Sequence, residues 1–194
     1  MSIHTEQDGR LRRVTLASPE TKNFLDVKRC GQLIDELRDA AADEATGAIL
    51  IDAEGPVFCS GMDEVAGEAL FGLGGRISKP IVAAVKGVAL AGGVVLVANA
   101  HVVVAAQGTS FGLTDIREGK WSELVFRAVA GAIGERRALE LSLTGRVFTT
   151  PDALAWGLVH MVAPAFELED RAMDVAQGLA KANPDAVKAA LRPR

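Results

Sequence analysis

Between Lys86 and Asp115 the chain carries no Asp, Glu, Lys or Arg. In the middle of that interval lies ALAGGVVLVANAHVVVAA, Ala89 to Ala106. So long a run without charge either crosses a bilayer, fills a core, or builds a site around its Gly92-Gly93 pair. A spanning helix needs about 20 mostly apolar residues, and the run has that length. Gly92-Gly93, Asn99 and His101 interrupt it, and neither an aromatic belt nor a clear Lys/Arg flank borders it. Its second half, VVVAA, favours a strand, and glycine punctuates the first half. The run therefore reads as a buried helix over Gly92–Asn99 followed by a buried strand over His101–Ala105.

The rest of the chain supports a core of that kind. Its 194 residues suffice for one domain, and a net charge of -4 without long basic runs argues against nucleic acid as a partner. The polar N-terminus, MSIHTEQDGRLRR, shows no apolar leader. Cys30 and Cys59 make neither a disulfide framework nor a metal motif. A cytoplasmic protein without metal is expected.

Strands are expected at LRRVTLA, GAILIDAEG, PIVAAVKG and GLVHMVAP, with an edge strand or turn over Phe111–Asp115. Helical spacing covers Asp26–Ala42, and shorter helices are expected at Asp63–Leu73, Glu123–Val129 and Glu135–Leu143. Thr150 is expected to cap a helix over Pro151–Trp156, and helices over Glu167–Ala182 and Pro184–Leu191 close the chain. Strands alternating with helices predict an α/β fold with parallel pairing.

Two loops place small residues where a strand gives way to a helix: FCSGMD, Phe58–Asp63, and ALAGGVV, Ala89–Val95. Unpaired N–H groups at such a place can hold an oxyanion. The same glycines also serve tight helix–sheet packing, and spacing alone does not choose between these readings.

GAILIDAEGPVFCSGMD is similar to the crotonase motif VVLTGxGxAFSAGADL. SKPIVAAVKGVALAGGVVL resembles PKPVIAAVNGxALGGGxEL, and LELSLTGRVFTTPDALAWGLVHMVAP resembles ELLLTGRxIxAEEAxxxGLVNxVVP. The strand at Arg12 with Asn23 resembles the family's opening segment. The match to the crotonase family, the enoyl-CoA hydratases and isomerases, runs from about Arg12 to about Pro184.

The resemblance implies a crotonase-like spiral of ββα units in one domain over residues 1–194. Its core would span about 11–165, followed by C-terminal helices over about 166–192. Most of the family's C-terminal helical extension is expected to be lacking, and the segment from Asp63 to Lys79 is short for the family. A homo-oligomer, by family habit a trimer, is implied. So is an acyl- or enoyl-CoA thioester substrate in fatty acid metabolism, with no separate cofactor. The thioester oxygen would lie on the backbone N–H groups of Met62 and Gly92. Phe24, Leu25, Ser60, Met62, Asp63, Glu64, Val65 and Gly92 hold the positions that line the CoA pocket.

The departures from the family matter as much. A hydratase carries two glutamates, one in GGxE and one in FGxPE. Here Val95 holds the first place and Asp115, in FGLTD, the second. One carboxylate suffices to move a double bond, so isomerisation with Asp115 as base is the expected reaction. Hydration, or thioester binding without catalysis, are its alternatives; a turn-capping Asp115 is the plain reading of that residue. Glu123 is a weaker acid candidate that also reads as a solvated helix residue. His101 and Cys59 read as packing residues.

Overall fold

In the computed structural model, which describes residues 2–191, two sheets and seven α-helices form the chain. The chain opens with a hairpin, β1 (Ile3–Asp8) antiparallel to β2 (Leu11–Leu16), turning at Gly9 with φ 57°. Helix α1 (Val27–Ala42) follows, its first turn closed by the Asp26 carboxylate, which accepts from Arg29 N–H at 2.9 Å. Then come β3 (Ala48–Ala53), β4 (Ile81–Val85), β5 (Val88–Leu90), α2 (Gly92–Asn99), β6 (Val102–Ala106) and β7 (Ser110–Gly112). Helices α3 (Glu123–Ile133) and α4 (Glu135–Thr144) precede β8 (Val147–Thr149), α5 (Thr150–Ala155) and β9 (Met161–Ala163). The described chain finishes with α6 (Leu168–Ala180) and α7 (Pro184–Ala190).

The larger sheet has the order β1-β2-β3-β4-β6-β9, parallel from β2 onward. Its central strands are apolar on both faces, as parallel strands covered on both sides must be. Alternation assigns each side chain to a layer. Ile49, Ile51, Ile81, Ala83, Val103 and Ala105 join the core shared with Cys30, Leu33 and Leu37 of α1 and with α2. Ala48, Leu50, Val82, Ala84, Val104 and Ala106 join the opposite layer, which α6 covers through Leu168, Ala172, Ala176 and Ala180. Alanines four apart form a smooth helix face that approaches the sheet closely. Gly47 lets the Ala180 carbonyl close on it, and Arg10 Nε donates to that carbonyl at 3.2 Å.

The smaller sheet has the order β5-β7-β8, with β5 parallel and β8 antiparallel to β7. Charge-free Gly87–Thr114 therefore forms two strands, a buried helix and a third short strand. Among the described residues no helix is long and apolar enough to cross a membrane.

Several element expectations need correction. β1 has only Ile3 buried, so no alternation marked it in the sequence. Asp63–Leu73 does not form a helix. Turns and a single 3-10 turn over Glu68–Leu70 fill it, because glycines at 67 and 72 break the helical run. The cap of α5 is Thr149, not Thr150: Thr149 and Asp152 form a reciprocal capping box. The Thr150 hydroxyl instead donates to the carbonyls of Ala106 and Thr109 at 3.1 and 3.0 Å.

Candidate active site

The loop after β3 is held by Asn23, which is almost wholly buried and sits at φ 53°. Its Oδ1 accepts from Ser18 N–H at 2.8 Å, and its Nδ2 donates to the carbonyls of Glu54 and Val57 at 2.9 and 2.7 Å. Short polar asparagine tolerates the left-handed conformation, which explains this residue type here. Leu25 then brackets Met62: Leu25 N–H donates to Gly61 O at 3.0 Å and Asp63 N–H donates to Leu25 O at 2.8 Å. Both bonds skip the Met62 amide.

The second loop abuts the first. Leu90 N–H donates to Cys59 O, and Ala91 N–H donates to Gly112 O at 2.8 Å. Ala91 is held at φ 47° and ψ -118°, a conformation that L side chains rarely adopt. It turns the chain sharply into α2. A β-carbon on Gly92 would stand 2.8 Å from the Met62 nitrogen and 3.0 Å from the Met62 Cβ. One on Gly93 would run into the Cys59 carbonyl. The two readings of the glycine pair thus separate by residue. Gly93 serves packing, and Gly92 brings its backbone alongside the Met62 amide.

Neither the Met62 nor the Gly92 N–H donates to another described residue. Both residues are buried. Two adjacent buried donors without acceptors are costly, because buried backbone N–H groups are nearly always paired. An acceptor oxygen from a ligand would satisfy both. The Met62 side chain is wall, not substrate-facing solvent surface: it is 7 % exposed, and a β-carbon on Gly67 would meet its sulfur at 2.8 Å.

Around this pair the other lining candidates differ in fate. Leu25 is buried, Phe24 is 40 % exposed beside Gly61, and Val65 points outward at 88 % exposure. Ser60 N–H donates to Lys22 O, and Asp63 accepts from Ala66 N–H at 2.8 Å, closing a turn. Glu64 is half-buried and accepts from the Ser122 hydroxyl at 2.7 Å.

Asp115 begins a 3-10 turn over Asp115–Glu118, three residues beyond Gly112. Burial pushes its carboxyl above the ordinary aspartate range; the charges of Glu64 and Glu118 add to this, and Lys120 opposes it. With Ser122, Leu113, Ile116, Lys120, Trp121, Val125 and Ser142 it lines a cavity of about 10 Å³. Trp121 lines that cavity, is 46 % exposed and leans on Phe126, ring centroids 5.5 Å apart.

Val95, in the first turn of α2, is fully buried in the core. Glu123 requires correction as an acid candidate. It lies on the exposed side of α3 and pairs with Arg127 one helical turn on, at 2.7 Å. His101 has a structural place. Its Nδ1 accepts from Ile81 N–H and its Nε2 lies 2.9 Å from the Gly74 carbonyl, so Nε2 carries the proton. Burial lowers its pKa. Cys59 is buried, its thiol pushed up to about 12 by desolvation, which leaves no thiolate to attack. Among the described residues no cluster of His, Cys, Asp and Glu is arranged to hold a metal ion.

The family model for enoyl-CoA hydratase/isomerase matches residues 6–192. The chain belongs to the enoyl-CoA hydratase/isomerase family. It is 30 % identical over 197 residues to mevalonyl-coenzyme A hydratase sidH of Aspergillus fumigatus, covering 90 % of this chain and 71 % of the relative. It is 31 % identical to enoyl-CoA hydratase domain-containing protein 3 of Rattus norvegicus, a protein named as mitochondrial, of which it spans 63 %. The crystal structure of the human protein of that name superposes with a TM-score of 0.92 at 26 % identity, over 98 % of this chain and 82 % of that one. Enoyl-CoA hydratase from Bacillus anthracis gives 0.90 at 25 % identity, over 98 % and 81 %. The crotonase fold expected from the motifs is the fold found.

Proposed function

We propose that the chain binds an enoyl-CoA thioester and moves its double bond from the 3 to the 2 position. The thioester oxygen accepts from the Met62 and Gly92 N–H groups. The Asp115 carboxylate takes a proton from C2, and the freed electron pair spreads onto that oxygen as an enolate. Collapse of the enolate returns the pair toward C4, where Asp115 delivers the same proton. Atoms balance with no cofactor.

Fixed backbone dipoles suit such a step, because they stabilise charge that develops only in the transition state without reorganising. A single donor of this kind typically contributes about 3 to 4 kcal/mol. The observation that carries the reading is the pair Val95 and Asp115. Where a hydratase places its first glutamate, an apolar side chain is sealed in the core, and the surviving carboxylate is half-buried with a raised pKa. A base with raised pKa is a stronger proton acceptor.

The test is to incubate purified protein with 3-enoyl-, 2-enoyl- and dienoyl-CoA thioesters. Conversion of the 3-enoyl compound to its conjugated isomer supports the reading. Failure to bind any of the three removes it.

A further inference from the structure

We propose that a groove on the α6 face of the larger sheet binds an organic cation, a linear diamine or polyamine. The proposal is independent of the reading of Met62 and Gly92, which belong to the layer on the other face of that sheet.

The groove follows from strand register. His4 pairs with Thr15, and Thr15 with Asp52, so the three stand in one row across β1, β2 and β3. Alternation puts them on the face of Leu11, Leu50 and Ala84, the layer that α6 covers. This row and the first turn of α6 line a groove of about 860 Å³, the size of a small-molecule site.

Its charges select the ligand. Four carboxylates, Glu6, Asp52, Glu54 and Glu169, meet two permanent cations, Arg13 and Lys86, so negative charge is in excess by two. Arg13 is already engaged: its Nε donates to Asp52 Oδ2 at 2.9 Å, and its Nη1 lies 2.7 Å from Glu169. Asp52 is only 9 % exposed, and its second oxygen, Oδ1, is buried with no partner among the described residues. A buried carboxylate oxygen without a donor is costly, and an ammonium group supplies one. Glu54 lies 3.4 Å from His4, a partner that is charged only when protonated. Ala84, Ala165 and Leu168 line the same groove and offer contact to the methylenes between two ammonium groups. Among the described residues no His, Cys, Asp and Glu cluster is arranged for a metal ion, so the groove suits an extended cation rather than a bare one.

The test is isothermal titration of the purified chain with spermidine and putrescine, repeated with magnesium chloride and with γ-aminobutyrate. The proposal predicts saturable binding of spermidine at one site, tighter than that of magnesium. Asp52→Asn should weaken it about tenfold or more, the loss of one charge-assisted hydrogen bond. Glu54→Gln should weaken it too, and because that side chain is 49 % exposed this variant serves even where Asp52→Asn fails to fold. Lys86→Gln removes a like charge and should tighten binding. Absence of saturable spermidine binding overturns the proposal. So does equal affinity for magnesium, which marks charge screening alone. Unchanged affinity in Glu54→Gln overturns it as well. Tighter binding of γ-aminobutyrate than of putrescine, weakened by Lys86→Gln, overturns it in favour of a zwitterion site.

Discussion

The hydroxyl of Ser122 donates to Glu64 Oε2 at 2.7 Å across a sequence separation of 58 residues. The Ser122 hydroxyl oxygen itself accepts from Val125 N–H at 3.2 Å and so caps α3. One buried serine thus fastens the loop that follows Met62 to the helix that follows Asp115. Ser122→Ala removes both bonds. Loss of the cap alone is expected to cost about 1 kcal/mol of stability, read as a lower midpoint in urea unfolding. An unchanged midpoint would show that the cap is replaced by water.

Gly92→Ala places a methyl group against the Met62 backbone. The loops are pinned on both sides by Leu25 and Gly112, so the strain falls on the two amides. The expected result is a fall in kcat/KM of about 10²-fold or more, the typical loss of one oxyanion donor. A folded variant with wild-type kcat/KM would show that the two amides do not hold the reacting oxygen.

His101 supplies the pH dependence of stability that is easiest to isolate. It anchors the Ile81 amide and the Gly74 carbonyl, and with Asn99 it holds the segment between residues 71 and 74. Burial lowers its folded pKa below the ordinary 6.5. The unfolded chain therefore takes up a proton that the folded chain refuses. Stability from this source is complete above about pH 6.5 and is lost as pH falls toward the folded value. His101→Leu should abolish that slope. It should also cost about 1–3 kcal/mol at neutral pH for each buried group left without its partner. Urea midpoints measured between pH 5 and 8 on both proteins test this; parallel pH curves would contradict it.

The fold was legible where burial leaves a pattern. The charge-free run placed Gly92–Asn99 as a helix, and α2 has those bounds. Val102–Ala106 is apolar because both of its faces are covered, which the Val run announced. β1 and β8 were not legible, for the opposite reason. β1 exposes all but Ile3, and β8 is three residues long with only Phe148 buried. Asp63–Leu73 forms turns rather than a helix because Gly67 and Gly72 interrupt it.

The site was half legible. The two strand-to-helix loops are local features of the sequence, and the resemblance to the crotonase motifs is what pointed to Met62 and Gly92 within them. The Glu64–Ser122 hydrogen bond is not local. Glu64 sits in a loop, Ser122 looks like any helix cap, and no spacing rule brings residues so distant together.

The central claim is that Asp115 moves the proton while the Met62 and Gly92 amides hold the thioester oxygen. The direct measurement is the rate at which 3-enoyl-CoA becomes 2-enoyl-CoA, followed by the absorbance of the conjugated product, in wild type and Asp115→Asn. Asparagine keeps the shape and removes the base. The account predicts thioester binding retained in both proteins and a rate lowered about 10²- to 10⁴-fold in the variant. A variant that isomerises at the wild-type rate would contradict it.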